Sequence, residues 1–497
     1  MSDPGVPPGP QQPPSTQSAP ASEIPLWVIF VAIAVMISLA VTAGLMLVAN
    51  DPASPTYPKH WDARVAPYAK VAEKKRGLPF KHPVSVRFLA AAEFEKTVTA
   101  DKKKLNADDR TELRHFAGLM RAFGLMTGNV DLFAAFNTFS VSGTLAYYSF
   151  DDKTITIRGS KLTAASRATL VHELTHALQD QYFDIGDRME KLRKDSGSGW
   201  STAEYAVLDA IIEGDAERVA GRYRASLSAK KRRALDAGQK DEFTRASKEL
   251  KRVPKVVVTM MTSPYVLGEG LVQAVAASGG NSEVDDLFRH PPAHESSLLD
   301  PFEVLAGHTS ADKVDVPAVR AGEKKFDSGE LGVLTWYLML AERLPLRDAL
   351  AAADGWGGDA YVAFERHGES CVRTTYRGRT KGAGKQMFSA LRRWVAAAPG
   401  SPAAVRRNGA TVSFESCDPG TSARVGNDAS QDAVGLVATR ANLGVALLRS
   451  GAPESAAHCL SGRLVRAFSV KQLTDPTFGT NDPAVRTRIQ QLAAGCR

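Results

Sequence analysis

Apolar residues recur along much of this chain at the spacing of an α-helix. Val171, Leu174 and Leu178 form one such stripe between polar residues, which is typical of a half-buried helix. Similar patterns over residues 107–127 and 129–139 predict further helices. The pattern therefore indicates a chain that is mostly helical.

A second pattern, alternation of apolar and polar residues, predicts a small number of strands. Residues 84–89 alternate in this way, and the runs 145–150 and 154–158 flank a short polar turn at 151–153. Two strands joined by such a turn are typical of a β-hairpin. Together the two patterns predict an α+β fold with a small sheet.

The C-terminal part contains both kinds of element. Residues 361–364, 372–376 and 411–415 are predicted strands that could share a small sheet, and three helical patterns follow. Those helices are expected over residues 434–448, 456–470 and 483–494.

All four cysteines lie in this C-terminal part, and an even number suits two disulfides in an oxidising compartment. Four cysteines allow three pairings. The sequential pairing, Cys371 with Cys417 and Cys459 with Cys496, closes the shortest loops. Scattered free thiols are the alternative.

The N-terminal segment changes from polar to strongly apolar. Residues 1–23 are rich in Pro, Ser, Gln and Gly without Lys or Arg, so we predict a disordered tail. Residues 24–49 carry no charge, and a helix over 26–48 would measure ~34 Å, enough to cross a bilayer core of ~30 Å. A cleavable signal peptide would begin with basic residues, and this segment does not. We expect a single-pass transmembrane helix over 24–49 and a linker over 51–80.

Two features of the sequence disagree about the side of the membrane on which the body of the chain, the part after the apolar segment, lies. Lys59, Arg64 and Lys70 follow the apolar segment and nothing basic precedes it, which favours a cytoplasmic body. The clustered cysteines favour the opposite side, and we expect a body outside the cytoplasm at the cell membrane.

Positive charge does not identify a partner. The net charge of +8 is diffuse, and the basic stretch over 230–255 is interrupted by Asp236, Asp241 and Glu249 and lacks an aromatic ladder. A solvated helical insertion is favoured over contact with anionic lipid, and no nucleic-acid partner is expected.

The most specific chemical signal is the motif His-Glu-x-x-His formed by His172, Glu173 and His176. Because positions four apart share one helical face, both imidazoles can reach one ion. Glu173 lies beside them and can take a proton from water whose pKa zinc lowers from ~16 toward ~7. The alternative is an ordinary surface helix, but polar groups on a half-buried helix need partners.

A catalytic zinc ion has three protein ligands and one open position, and a second helix offers the third. A capping-box pattern begins at Ser201. Glu213 follows on a stripe of small residues, and we assign it as the third ligand, with Asp209 as the alternative. Gly214 removes bulk, which should let the two helices approach closely. Asp215 fits a solvated helix face better.

These two helices resemble the gluzincin branch of the zincin metallopeptidases, in which two motif histidines and a downstream glutamate bind zinc. The run 172–180 is similar to the thermolysin-type helix, and the close resemblance covers residues 140–225. In that family an Asp four residues after the ligand Glu orients a ligand His. Glu217 stands in that place here, so the resemblance implies a supporting carboxylate. Asp180 is either another support or an acid on the helix face.

The resemblance weakens near residue 294. We expect a Ser-Thr-Glu run followed by His-Pro in this group, whereas the chain has His-Glu-Ser-Ser at 294–297 and Asp-Pro at 300–301. If the missing histidine stabilises an oxyanion in the relatives, His294 could substitute for it. The alternative is an exposed loop histidine.

The resemblance implies a zincin-like catalytic domain over 81–350, followed by a disulfide-bearing extension over 351–497. We expect a membrane-anchored, zinc-dependent metallopeptidase that hydrolyses peptide bonds in peptides or proteins, with Glu173 as general base. The alternative is a catalytically inactive, membrane-anchored zinc-binding or interaction protein that retains the helix pair. Hydrolysis of a non-peptide bond is a weaker alternative, and the sequence gives no oligomeric state.

Overall fold

The computed structural model describes residues 57–195, 202–398, 402–475, 477–479 and 482–496. Within these ranges the chain is mostly helical and contains two sheets. The predicted α+β class, mostly helical with few strands, is confirmed.

The helices are α1 (Ala66–Arg76), α2 (Ala91–Val98), α3 (Ala107–Ala122), α4 (Leu132–Gly143), α5 (Ala164–Phe183), α6 (Ile185–Asp195), α7 (Ala203–Ser226), α8 (Ala229–Leu250), α9 (Lys255–Arg289), α10 (Ser296–Leu299), α11 (Phe302–Leu305), α12 (Val333–Ala341), α13 (Leu346–Ala353), α14 (Lys381–Ala396), α15 (Ser430–Arg449), α16 (Glu454–Ala467), α17 (Val470–Leu473) and α18 (Pro483–Ala494). The strands are β1 (Ser85–Leu89), β2 (Ala146–Ser149), β3 (Thr154–Arg158), β4 (Lys324–Gly329), β5 (Trp356–Arg366), β6 (Glu369–Gly378), β7 (Ala403–Asn408) and β8 (Thr411–Cys417).

The first sheet has three strands in the order β1-β3-β2. The predicted hairpin is present, because β2 pairs antiparallel with β3, with Tyr148 opposite Ile155. Strand β1 adds to the other side of β3 in parallel. Strand β2 therefore lies at the edge of this sheet, and the central strand β3 immediately precedes α5 in the sequence.

The second sheet has five antiparallel strands in the order β4-β5-β6-β8-β7. It contains the three strands predicted in the C-terminal part. Strand β4 lies before the predicted domain boundary at 350/351 and pairs with β5 after it. The sheet thus includes residues from both predicted regions.

Both disulfides form in the sequential pairing. Cys371 and Cys417 lie opposite each other on β6 and β8, and Cys459 on α16 joins Cys496 after α18. Disulfides are typical of oxidising compartments. The predicted disulfide-bearing C-terminal region is confirmed.

The predicted membrane anchor needs correction. No helix in the described ranges is long and apolar enough to cross a bilayer. The predicted transmembrane helix over 24–49 and tail over 1–23 lie outside those ranges, as do the first residues of the linker over 51–80. The single-pass membrane architecture and the cell-membrane localisation are therefore wrong for the part of the chain that the structure describes. The bilayer partner over 24–49 stays a prediction, because those residues lie outside the described ranges.

Helices α7 and α9 cross at a contact between two glycines. A Cβ atom on Gly268 would lie 1.7 Å from the carbonyl oxygen of Ala210, and one on Gly214 would lie 2.1 Å from the carbonyl carbon of Gly268. Gly214 was expected to bring α7 close to the motif helix α5. It instead brings α7 close to α9, so a third helix borders the motif.

Helix α9 contains a proline. Pro264 lies in its interior, nine residues after the helix begins at Lys255. Proline cannot donate the hydrogen bond that would reach the carbonyl of Met260. The hydroxyl of Ser263 donates to that carbonyl at 3.2 Å instead. The helix can therefore pass through Pro264 and carry Tyr265 toward α5.

Candidate metal centre

Helix α5 carries the His-Glu-x-x-His motif. It begins at Ala164, and the preceding residue, Thr163, forms a capping box with Ser166. The helix was predicted to be half-buried, but nearly every residue from Ala165 to Asp180 is buried, because α1, α7, α8 and the first sheet all pack around it. A solvated helix that merely carries two histidines is therefore excluded.

Three predicted metal ligands lie together. The Nε2 atoms of His172 and His176 lie 3.2 and 3.6 Å from Oε2 of Glu213, and one ligand atom from each residue falls within 4.8 Å of the others. All three side chains are 0% exposed. Nitrogen and oxygen ligands at ~2.0–2.1 Å from a tetrahedral zinc ion lie about 3.3 Å apart. The spacing of this cluster fits such an ion.

Glu173 faces the same region from α5. Its Oε2 accepts a hydrogen bond from the main-chain N–H of Tyr148 on β2 at 2.8 Å. Its Oε1 is buried without a hydrogen-bond partner among the described residues. Burial raises the pKa of Glu173 to about 8, partly offset by the Tyr148 hydrogen bond. One carboxylate oxygen is thus fixed and the other is free to exchange a proton.

The electrostatics of the cluster suit a bound cation. Burial lowers the pKa of His172, and lowers that of His176 to about 4, so both imidazoles are neutral, the form that binds metal. Burial and neighbouring carboxylates hold the pKa of Glu213 and Glu217 well above the usual range. A divalent cation would relieve this crowding of buried acids.

The predicted supporting carboxylates occupy different places. Oε1 of Glu217 lies 3.3 Å from Nδ1 of His172, the position that the resemblance implies for it. Asp180 instead accepts a hydrogen bond from the Tyr148 hydroxyl at 2.8 Å and pairs with Lys153 at 2.7 Å. Asp180 therefore holds the β2–β3 hairpin against α5 and contacts neither histidine.

A support that the sequence analysis missed lies on α5 itself. Oε1 of Gln179 lies 2.9 Å from Nδ1 of His176, and its Nε2 donates to the carbonyl of Ile212 and to Asp215. The spacing from His176 to Gln179 places both on one helical face, so this signal was present in the sequence.

Asp215 was expected on a solvated helix face, and this prediction is wrong. It is fully buried and accepts hydrogen bonds from Arg76 at 2.5 Å and Arg218 at 2.8 Å. These arginines hold the pKa of Asp215 below its usual value despite its burial. Arg76 comes from α1, which is distant in sequence, so no local pattern could predict this pair.

Tyr265 of α9 is a further residue that was missed. It is fully buried, and its ring is nearly parallel to that of His172 at a centroid distance of 6.3 Å. Burial is the main cause of the raised pKa of Glu213, and a hydrogen bond from Tyr265 opposes it. Tyr265 thus supports the Glu213 carboxylate from the third helix.

The remaining candidates lie outside the cluster. Nδ1 of His294 pairs with Glu330 at 3.0 Å. This hydrogen bond is the main cause of the raised pKa of His294. His294 makes no described contact with the three ligands. Asp209, the alternative ligand, lies one turn before Glu213 on α7. The capping residue of α7 is Thr202, which accepts from the N–H of Tyr205, and Ser201 lies outside the described residues.

Comparison of this chain with protein-family models, curated proteins and solved structures finds no match. The gluzincin resemblance therefore remains a prediction from the motif residues.

Proposed function

We propose that this chain is a zinc-dependent metallopeptidase that hydrolyses peptide bonds. The observation that carries the proposal is the free Oε1 of Glu173, buried beside a cluster of two histidines and one glutamate. A site that only holds metal has no need of a fourth, non-ligating acid with one oxygen tethered and the other unpaired.

The donor set favours zinc. Two imidazoles and one carboxylate are a set found in catalytic zinc sites, which keep a fourth position open. Within the described residues, Nε2 of His176 also lacks a hydrogen-bond partner. A buried polar atom without a partner is costly, and a bound ion would remove that cost. His172, His176 and Glu213 would hold the ion, and Glu217, Gln179 and Tyr265 would hold the ligands in place.

When bound, zinc would supply Lewis acidity, polarising a carbonyl and lowering the pKa of water. Glu173 accepts a proton from the attacking water at Oε1 and later returns it to the leaving amine. The main-chain N–H of Tyr148 keeps the carboxylate oriented throughout.

The test separates metal binding from proteolysis. Glu173→Gln keeps the size and the hydrogen bond from Tyr148 but cannot accept a proton. We expect it to retain the zinc content of the wild-type chain, measured by plasma emission spectrometry, while cleavage of a peptide library falls by about 10²–10⁴-fold.

The control for the metal assignment is His172→Ala, which should lose zinc, whereas exposed Glu112→Gln should change neither property. Wild-type proteolysis in Glu173→Gln would contradict the assigned base. Stoichiometric zinc in His172→Ala would contradict the ligand set.

Complete burial of the three ligands supports a second candidate, a catalytically inactive zinc-binding protein. A closed structural site carries four protein ligands, and only three ligand residues are grouped in the described chain. X-ray absorption spectroscopy of the zinc-loaded chain distinguishes the candidates. Three protein ligands and one water would favour the enzyme, and four protein ligands would favour the inactive protein.

A further inference from the structure

A cavity of about 350 Å³ lies between α3, α7, α9 and α12. Its volume lies within the range of small-ligand sites. Most of its wall is apolar, with contributions from Leu119, Leu267, Leu334 and Leu338. Such a wall suits the aliphatic part of a ligand.

The cavity adjoins the metal centre through two helices. Asp209 lines it from α7 and precedes Glu213 by four residues, which is about 6 Å along the helix axis. Pro264 lines it from α9 and precedes Tyr265, which hydrogen-bonds to Glu213. A ligand group in the cavity is therefore close to a peptide bond that is bound at the metal cluster.

Three carboxylates line this largely apolar space, and two of them have partners. Glu330 pairs with His294 at 3.0 Å, and Glu295 accepts a hydrogen bond from the N–H of Leu334 at 3.2 Å. Asp209 is only 6% exposed and has no hydrogen bond or ion pair with any described residue.

A buried carboxylate without a partner is costly. Burial alone raises the pKa of Asp209 to about 7. A ligand cation would remove this cost, while a neutral apolar ligand would leave it. An acidic ligand would be repelled. The cavity thus combines apolar walls for a methylene stem with one unpaired acid for a cationic end.

We infer that this cavity receives a lysine or arginine side chain of the peptide substrate, beside the bond to be cleaved, with Asp209 pairing with its cation. The inference rests on the proposed function, since it assigns the cavity to a peptide held at the metal cluster. Asp209 is then a specificity-determining residue.

The experiment measures binding without turnover. The full chain with Glu173→Gln is titrated into two fluorescent alanine-based peptides, identical except that one carries a central lysine and the other norleucine. Norleucine keeps the unbranched apolar stem and lacks the amine. We expect the lysine peptide to bind about 10- to 100-fold more tightly, as a buried charge-assisted hydrogen bond implies.

Substitution of Asp209 then tests the residue itself. Asp209→Asn, in the same background, should reduce the affinity for the lysine peptide to that for the norleucine peptide, whose own affinity should change less than about threefold. Exposed Asp108→Asn serves as the control and should leave both affinities unchanged.

Equal affinities for the two peptides, failure of both to bind, or a lysine preference that survives Asp209→Asn would overturn the inference. The comparison of the two peptides needs no variant at Asp209, so it decides the question even if Asp209→Asn does not fold. A lysine preference in a wild-type chain that cleaves no peptide would refute the proposed function alone. Cleavage without a basic preference would refute the cavity assignment alone.

Discussion

Gln179 fixes the tautomer of His176. Its Nε2 donates to the carbonyl of Ile212 at 2.9 Å and to Asp215 at 3.3 Å, so its Oε1 is the acceptor that faces Nδ1 of His176. Nδ1 therefore carries the proton, and the lone pair of Nε2 points toward the cluster. This is the tautomer that can bind a metal through Nε2.

Loss of this amide should weaken metal binding without removing a ligand. We expect Gln179→Ala to lower zinc affinity by about 10- to 100-fold, the usual effect of removing a group that orients a ligand. Competition with a chromophoric chelator measures the affinity. Gln181→Ala, on the same helix, is the matched control because Gln181 bonds to Lys81 and His82 instead. Equal affinities of the two variants would show that Gln179 does not position His176.

Tyr265 should also support the ligands. We expect Tyr265→Phe to retain the fold but to lower zinc affinity by about tenfold, because Glu213 loses a hydrogen bond. The same chelator competition gives the value. Tyr68→Phe serves as control, since Tyr68 packs edge-on against Tyr223 away from the cluster. Zinc affinity unaltered by Tyr265→Phe would exclude this role.

The glycine contact between α7 and α9 should be intolerant of any side chain. Gly268→Ala places a methyl group 1.7 Å from a main-chain oxygen of Ala210, and backbone cannot move aside cheaply. We expect the free energy of unfolding to fall by about 3 kcal/mol or more, measured by denaturant titration. Gly462→Ala, also within a helix but with no atom within 4 Å of the added Cβ, should be neutral or slightly stabilising. Similar stabilities of both variants would contradict the close contact.

Glu323 should contribute a pH-dependent part of the stability. It accepts hydrogen bonds from Arg373 and Arg366, and these lower its pKa to about 2, with the Arg373 bond the larger cause. A lowered pKa in the folded state gives stability that is complete above about pH 4.5 and is lost as pH falls toward 2. Glu323→Gln should therefore cost about 2 kcal/mol at pH 7 and much less at pH 2.5.

The measurement for Glu323 is the difference in unfolding free energy between variant and wild type at the two pH values, which cancels the titration of other carboxylates. Exposed Glu369→Gln, on β6 of the same sheet, is the control and should show little difference at either pH. A cost for Glu323→Gln that does not depend on pH would refute the ionic origin.

The parts of the site that depend on local spacing were predictable. His172 and His176 follow from the period of one helix, and Glu213 from a stripe of small residues on the next. Gln179 could have been found in the same way, because it lies three positions after His176.

Other parts depend on contacts between distant segments. Tyr265 reaches the cluster only because Gly268 lets α9 contact the backbone of α7. Asp215 was placed on a solvated face because its partner Arg76 lies 139 positions away in the sequence. Helix α5 was predicted to be half-buried and is fully buried for the same reason, since elements distant in sequence cover its polar face.

The hydrogen bond from Tyr148 to Glu173 comes from the main chain. Replacement of the Tyr148 side chain can break the contact with Asp180 yet leaves the amide in place for every residue type except proline. The orientation of Glu173, the proposed general base, is therefore encoded in the path of a strand and not in the identity of a residue. Mutational drift at position 148 could alter packing substantially while this restraint on Glu173 persisted.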